Sequence, residues 1–147
     1  AGGRTYELKQ IHFHAPSEHQ IGGKSFPLEA HFVHAATDGQ LAVVAVLYET
    51  GEENSDLKKL WRQMPAKVGQ EEGMAAQVRA EKLLPENRDY YRLSGSLTTP
   101  PCTEGVLWLI LKNQGAVSEE QARQFSELMS GSNNRPVQPL NARAVLQ

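Results

Sequence analysis

Leu41 to Tyr48 is an unbroken apolar run of strand length, preceded by the turn signal Thr37-Asp38-Gly39-Gln40. A run without polar alternation needs both faces covered, so it predicts a central, buried strand within a sheet. Two neighbours lie upstream. Tyr6 to His14 alternates, with Tyr6, Leu8, Gln10, His12 and His14 on one face and Ile11 and Phe13 on the other. Bulky groups on both faces predict that this strand is buried too. Leu28 to Ala35, rich in β-branched and aromatic residues, reads as its hairpin partner across a loop that contains the break Ala15-Pro16-Ser17 and the turn Ile21-Gly22-Gly23-Lys24.

Downstream, Leu57, Leu60, Trp61 and Met64 follow the spacing of an amphipathic helix ending at Pro65. Val68 to Asn87 is polar and weakly patterned. Tyr90 to Leu97 and Val106 to Lys112 read as two further strands around Thr98-Thr99-Pro100-Pro101, and Ser118-Glu119-Glu120-Gln121 is a capping box opening a helix through Ala122, Phe125, Leu128 and Met129. The segment from Asn133 to Pro139 reads as irregular. The fold class is therefore mainly β: a twisted, mostly antiparallel central sheet with a few peripheral helices, in one domain over residues 1–147.

Charge argues against several function classes. Fifteen basic and 17 acidic residues give a net charge of −2, with no long block of one sign, so nothing calls for nucleic acid or an anionic membrane. No apolar run approaches the roughly 20 residues that span a bilayer, and the start Ala1-Gly2-Gly3-Arg4 lacks the apolar core of a signal peptide; the chain reads as soluble. On composition, the single cysteine, Cys102, reads as a free thiol.

All five histidines fall between positions 12 and 34. Period two puts His12 and His14 on one strand face, about 7 Å apart at Cα, close enough for both imidazoles to reach one ion. A catalytic zinc site takes three protein ligands and leaves a fourth position for water. The third would come from the neighbouring strand, where His31 and His34, three residues apart, point to opposite faces, so only one can serve. His31 shares its face with Glu29 and Val33, which puts a carboxylate beside it. Taken singly, His19 and His34 read as hydrogen-bonded core. A zinc-protease reading fails because no H-E-x-x-H occurs.

The motifs Gln10-Ile11-His12-Phe13-His14, Ser17-Glu18-His19, Glu29-Ala30-His31-Phe32-Val33-His34, Gly95-Ser96-Leu97-Thr98-Thr99-Pro100-Pro101-Cys102 and Asn133-Asn134-Arg135-Pro136-Val137-Gln138-Pro139-Leu140, in that order, resemble the alpha-class carbonic anhydrases, especially bacterial ones. The resemblance runs from about Tyr6 to Arg143. It implies reversible hydration of carbon dioxide to bicarbonate and a proton, with Zn2+ on His12, His14 and His31. Gln10, the Asn133 backbone carbonyl and Glu29 would hold those three rings in turn. Three neutral imidazoles leave the dication's full charge on the metal, which acidifies its water. By resemblance, Thr98 accepts a hydrogen bond from zinc hydroxide and donates to Glu18, orienting the nucleophile; the following Thr99-Pro100-Pro101 stiffens its loop. Val33, Val43, Leu97, Val106 and Trp108 would form the apolar wall for carbon dioxide, with Thr99 in the same cleft. Sulfonamides or anions would inhibit.

Against the family pattern, the chain reads as truncated before the His-x-His strand, and no proton-shuttle histidine is left over. Leu93 stands where many relatives carry an aromatic residue. Cys102 occupies a position where bacterial relatives have a disulfide-bonded cysteine, which reverses the free-thiol reading and implies a periplasmic or secreted protein. Open sheet edges would be association hazards, with a homodimer as one outcome. The alternative function is a catalytically impaired or non-catalytic binding module on the same fold.

Overall fold

In the computed structural model, residues 3–64 and 79–147 are described. Their sheet comprises β1 (Glu7–His14), β2 (Leu28–Ala35), β3 (Leu41–Thr50), β4 (Tyr90–Ser96), β5 (Glu104–Leu111) and the short β6 (Gly115–Val117). The spatial order is β1-β2-β3-β5-β4, with β6 pairing with the end of β3. The β1/β2, β2/β3 and β4/β5 pairs are antiparallel, whereas β3 runs parallel to β5 and β6. The central strand is the apolar run, as its sequence requires.

Among the described residues, two α-helices flank the sheet. In α1 (Ser55–Trp61), the Asn54 side chain accepts from the backbone N–H groups of Asp56 and Leu57; in α2 (Glu119–Leu128), Ser118 and Gln121 form the reciprocal capping box. Alternation sorts the strands between two layers. Leu28, Ala30, Phe32, Val46 and Tyr48 pack under the helices with Leu57 and Phe125, while Val33, Val43, Ala45, Leu47, Val106, Trp108 and Ile110 form a second cluster on the other face. Ile11 and Phe13 join the helix-covered layer, so His12 and His14 project from the opposite side.

Three expectations need correction. The first strand is exposed from Glu7 to Gln10, because among the described residues β1 pairs only with β2 and so forms an edge. Its register also shifts between Leu8 and Gln10. The extra residue Lys9 places Leu8 opposite His34 and Gln10 opposite Val33, so Leu8 and Gln10 lie on opposite faces. Finally, α1 stops at Trp61. Gln63 and Met64 donate to the carbonyls three residues back, at 2.9 and 3.3 Å, a tightening that ends the helix before the expected stop at Pro65. Pro65 and residues 68–78 of the weakly patterned stretch lie outside the described residues; Ala80–Leu83 is a 3₁₀ turn.

Ile21-Gly22-Gly23-Lys24 is a tight turn in which both central glycines have positive φ, 58° and 78°, a backbone that side chains resist.

Candidate metal centre

The register of β1 on β2 sets His12 directly opposite His31 and His14 opposite Glu29. Residues paired in this way share a sheet face, and the imidazoles of His12, His14 and His31 converge, with ring centroids 4.7–5.0 Å apart. One nitrogen of each lies within 4.8 Å of the other two. His34 turns to the opposite face, its Nδ1 2.7 Å from the Phe32 carbonyl, so strand geometry selects His31.

Each ring's remaining nitrogen meets an oxygen that can only accept. His12 Nδ1 is 2.8 Å from Gln10 Oε1, His14 Nδ1 is 3.0 Å from the Asn133 carbonyl, and His31 Nε2 is 2.8 Å from Glu29 Oε1. These acceptors fix the tautomers: the proton sits on the outer nitrogen and the lone pair faces inward. His12 Nε2 and His31 Nδ1 therefore present lone pairs to each other at 3.2 Å. His14 Nε2 is buried without a hydrogen-bond partner. Inward lone pairs are unfavourable by themselves and suit a cation at their centre.

Burial, followed by the neighbouring His31 and His14, pushes the His12 pKa down to about 4. His14 is lowered by burial first and then by His31. Both rings are thus neutral and available as ligands at neutral pH. Glu29 is fully buried, and burial disfavours its charge, but His19 and His31 more than offset this and hold its pKa well below the ordinary carboxylate range. Its Oε1 accepts from His19 Nδ1 at 2.6 Å as well as from His31, and its Oε2 accepts from the Glu18 and His19 backbone N–H groups at 2.8 and 2.9 Å. Burial would lower the His19 pKa, but the charge of Glu29 and its hydrogen bond raise it. With its oxygens occupied in this way, Glu29 ties the His31 and His19 rings to the backbone of residues 18–19.

Glu18 is buried beside the cluster. Its Oε1 accepts from the Arg135 backbone N–H at 2.7 Å, while Oε2 has no hydrogen-bond partner and lies 3.5 Å from His14 Nε2 and 4.0 Å from His31 Nδ1. The hydrogen bond from Thr98 to Glu18 expected from the resemblance is not made in this structure, although both residues line one cavity of about 530 Å³ with Trp108 and Arg135. The Thr98 loop is closed by Leu97 N–H to the Thr103 carbonyl and Cys102 N–H to the Thr99 carbonyl, at 2.9 and 2.8 Å. Val33, Val43, Val106 and Trp108 are buried in one cluster, with Leu97 packed against it. The Trp108 ring lies 4.9 Å from that of His31 and 4.8 Å from that of His19, and its Nε1 donates to the Ser96 carbonyl at 3.1 Å. Reading residues alone missed Arg135 as the donor to Glu18, because a backbone N–H leaves no signal in side-chain type.

Together these features define a class: a mixed-sheet protein whose sheet face carries three tautomer-fixed histidines suited to one metal ion. Comparison with known proteins sharpens the class to a family. A family model described as eukaryotic-type carbonic anhydrase matches residues 1–147, and the chain belongs to that family. A carbonic anhydrase of Pectobacterium carotovorum is 51% identical over 142 residues, covering 97% of this chain and 58% of the relative. One from Neisseria gonorrhoeae is 52% identical over 145 residues, covering 99% and 57%. The solved alpha-carbonic anhydrase of Thermovibrio ammonificans, in complex with the inhibitor sulfanilamide, superposes with a TM-score of 0.96 at 54% identity, over 99% of this chain and 64% of that one. The chain thus spans less than three-fifths of the length of these two curated relatives.

Proposed function

We propose that this chain carries the metal-binding and substrate-facing part of an alpha-class carbonic anhydrase, which catalyses reversible hydration of carbon dioxide to bicarbonate and a proton. The observation that carries this reading is the convergence of His12, His14 and His31, each with its outer nitrogen tied to an acceptor and its lone pair turned inward. These three residues would hold Zn2+, which when bound supplies the positive charge that makes water acidic enough to react near neutral pH; carbonic anhydrases are the type case of that chemistry.

The chain's own residues do the rest. Gln10, Asn133 and Glu29 orient the three rings. Arg135 fixes one oxygen of Glu18 and leaves the other free to accept. The Thr98 hydroxyl, carried on its closed loop, would donate to that free oxygen and so keep its own lone pairs directed at the reacting water. Val33, Val43, Leu97, Val106 and Trp108, with Thr99 at the cleft, provide the apolar surface that a substrate without a net dipole needs. Sulfonamides and anions would compete at the same centre. The reading extends to a periplasmic or secreted setting in which Cys102 is disulfide-bonded.

The test is stopped-flow carbon dioxide hydration on metal-analysed protein, beside a His14→Ala variant and with a sulfonamide added. Activity should track one zinc per chain and vanish in both controls. Stoichiometric zinc without hydration would move the conclusion to a binding module, and absence of zinc would overturn the metal assignment.

A further inference from the structure

We infer that the Asn133 side chain is a positioning element for His14, separate from the carbonyl of the same residue that meets the ring; this rests on the reading of His14 as a metal ligand. All four polar groups of Asn133 engage residues 13–15. Its carbonyl accepts from His14 Nδ1 at 3.0 Å, and its N–H donates to the Ala15 carbonyl at 3.3 Å. Its Oδ1 accepts from the Ala15 N–H at 2.9 Å, and its Nδ2 donates to the Phe13 carbonyl at 3.0 Å.

The side-chain half of this set acts as a substitute strand. His14 pairs with Glu29 on β2, and among the described residues β1 has no partner on its other side. In an antiparallel ladder, the C=O before a hydrogen-bonded residue and the N–H after it point away from the partner strand. Here those groups belong to Phe13 and Ala15, and one primary amide, donating and accepting side by side, satisfies both. The strand is then gripped from two sides at the residue that carries the ligand, so it cannot twist and swing the imidazole off the metal. An alanine offers neither function, and a serine hydroxyl is too short to span both groups.

Two residues further on, the Arg135 N–H holds Glu18 at 2.7 Å, so the same short segment sets a ligand ring and the neighbouring carboxylate. Asn134, whose Nδ2 donates to the Ser17 carbonyl at 3.4 Å, provides a control in the same segment that does not touch the ring's strand.

The experiment compares Asn133→Ala, Asn133→Ser and Asn134→Ala with the parent chain. It reads the rate of zinc release to a chelator and the His14 Nδ1–H resonance in ring-labelled protein. Both Asn133 variants keep the carbonyl that meets the ring and should release zinc about 10-fold faster, the low end of the roughly 10–100-fold cost of disturbing an outer partner of a ligand. Their His14 resonance should shift or broaden while that of His12 stays in place, and Asn134→Ala should change neither. Release within twofold of the parent with an unmoved His14 resonance overturns the inference, as does an equal effect from Asn134→Ala. If the parent binds no zinc, the functional reading falls, and the His14 resonance of the metal-free chain decides the role of Asn133.

Discussion

The two faces of the sheet are built on different terms. Under the helices, Phe32, Tyr48, Leu57, Val117 and Phe125 are buried in an apolar layer whose rings meet edge-on or stacked: Phe13 to Trp61 at 5.1 Å, and Trp61 to Phe125 at 5.5 Å. The opposite face buries His14, His31, Glu18 and Glu29 among valines and a tryptophan. There, order comes from hydrogen bonds of fixed direction, and the layer opens to the cavity over Trp108. Burial on the first face is close to a matter of volume. On the second it is a matter of which atom carries a proton, and two buried atoms, His14 Nε2 and Glu18 Oε2, stay unpartnered.

Substitutions that separate the faces test this contrast. The largest expected effect on stability is from Phe125→Ala. It empties a ring site in the helix-covered layer and should cost about 3–5 kcal/mol in chemical denaturation, with zinc stoichiometry intact in whatever fraction folds. Zinc loss out of proportion to unfolding would show that the faces are not independent.

Next is Gly95→Ala on the site face. A methyl there would lie 2.8 Å from Trp108 Cδ1, and the ring, flanked by His19 and His31, has little room to retreat. About 1–3 kcal/mol should be lost to overpacking, together with a shift in tryptophan emission; a silent substitution would mean the site face yields more readily than its packing suggests. Ser118→Ala should cost about 1 kcal/mol through loss of the α2 cap and leave zinc binding unchanged.

The last effect is absent at neutral pH. Tyr48 is buried with one hydrogen bond, to the Leu83 carbonyl at 3.0 Å, and burial raises its pKa above the ordinary 10. Above pH 10 the unfolded chain releases this proton while the folded one keeps it. The contribution is therefore complete below pH 10 and is lost as pH rises toward the folded value. Denaturation midpoints should show this alkaline decline, and Tyr48→Phe should remove it; an equal decline in the variant would assign it elsewhere.

The sequence was most readable where period and register decide the outcome. His12-x-His14 and the placement of Glu29, His31 and Val33 on one face follow from alternation, and the hydrogen-bonded register of β1 and β2 carries them to one point. Apolar runs and the capping box likewise announced β3 and α2. Alternation failed at Lys9, because a bulge is set by pairing and not by residue type, and it overstated the burial of Glu7 to Gln10, because strand position within a sheet is not written in the strand itself. The three-residue β6 is too short to show a period. Asn133 was reachable only through family resemblance, since no local pattern ties it to residues 13–15.

That last distance has a consequence in time. His12 and His31 stand 19 residues apart, whereas Asn133 stands 119 residues from His14. The hairpin bearing the three imidazoles can close while the chain is still being synthesised, but its clasp leaves the ribosome 119 residues after His14. Loop closure costs entropy only logarithmically with length, yet long-range contacts form late. A nascent chain would therefore gather all three imidazoles well before it could hold them still, so on the proposed reading the capture of an ion and its retention would be successive events along the path to the native state.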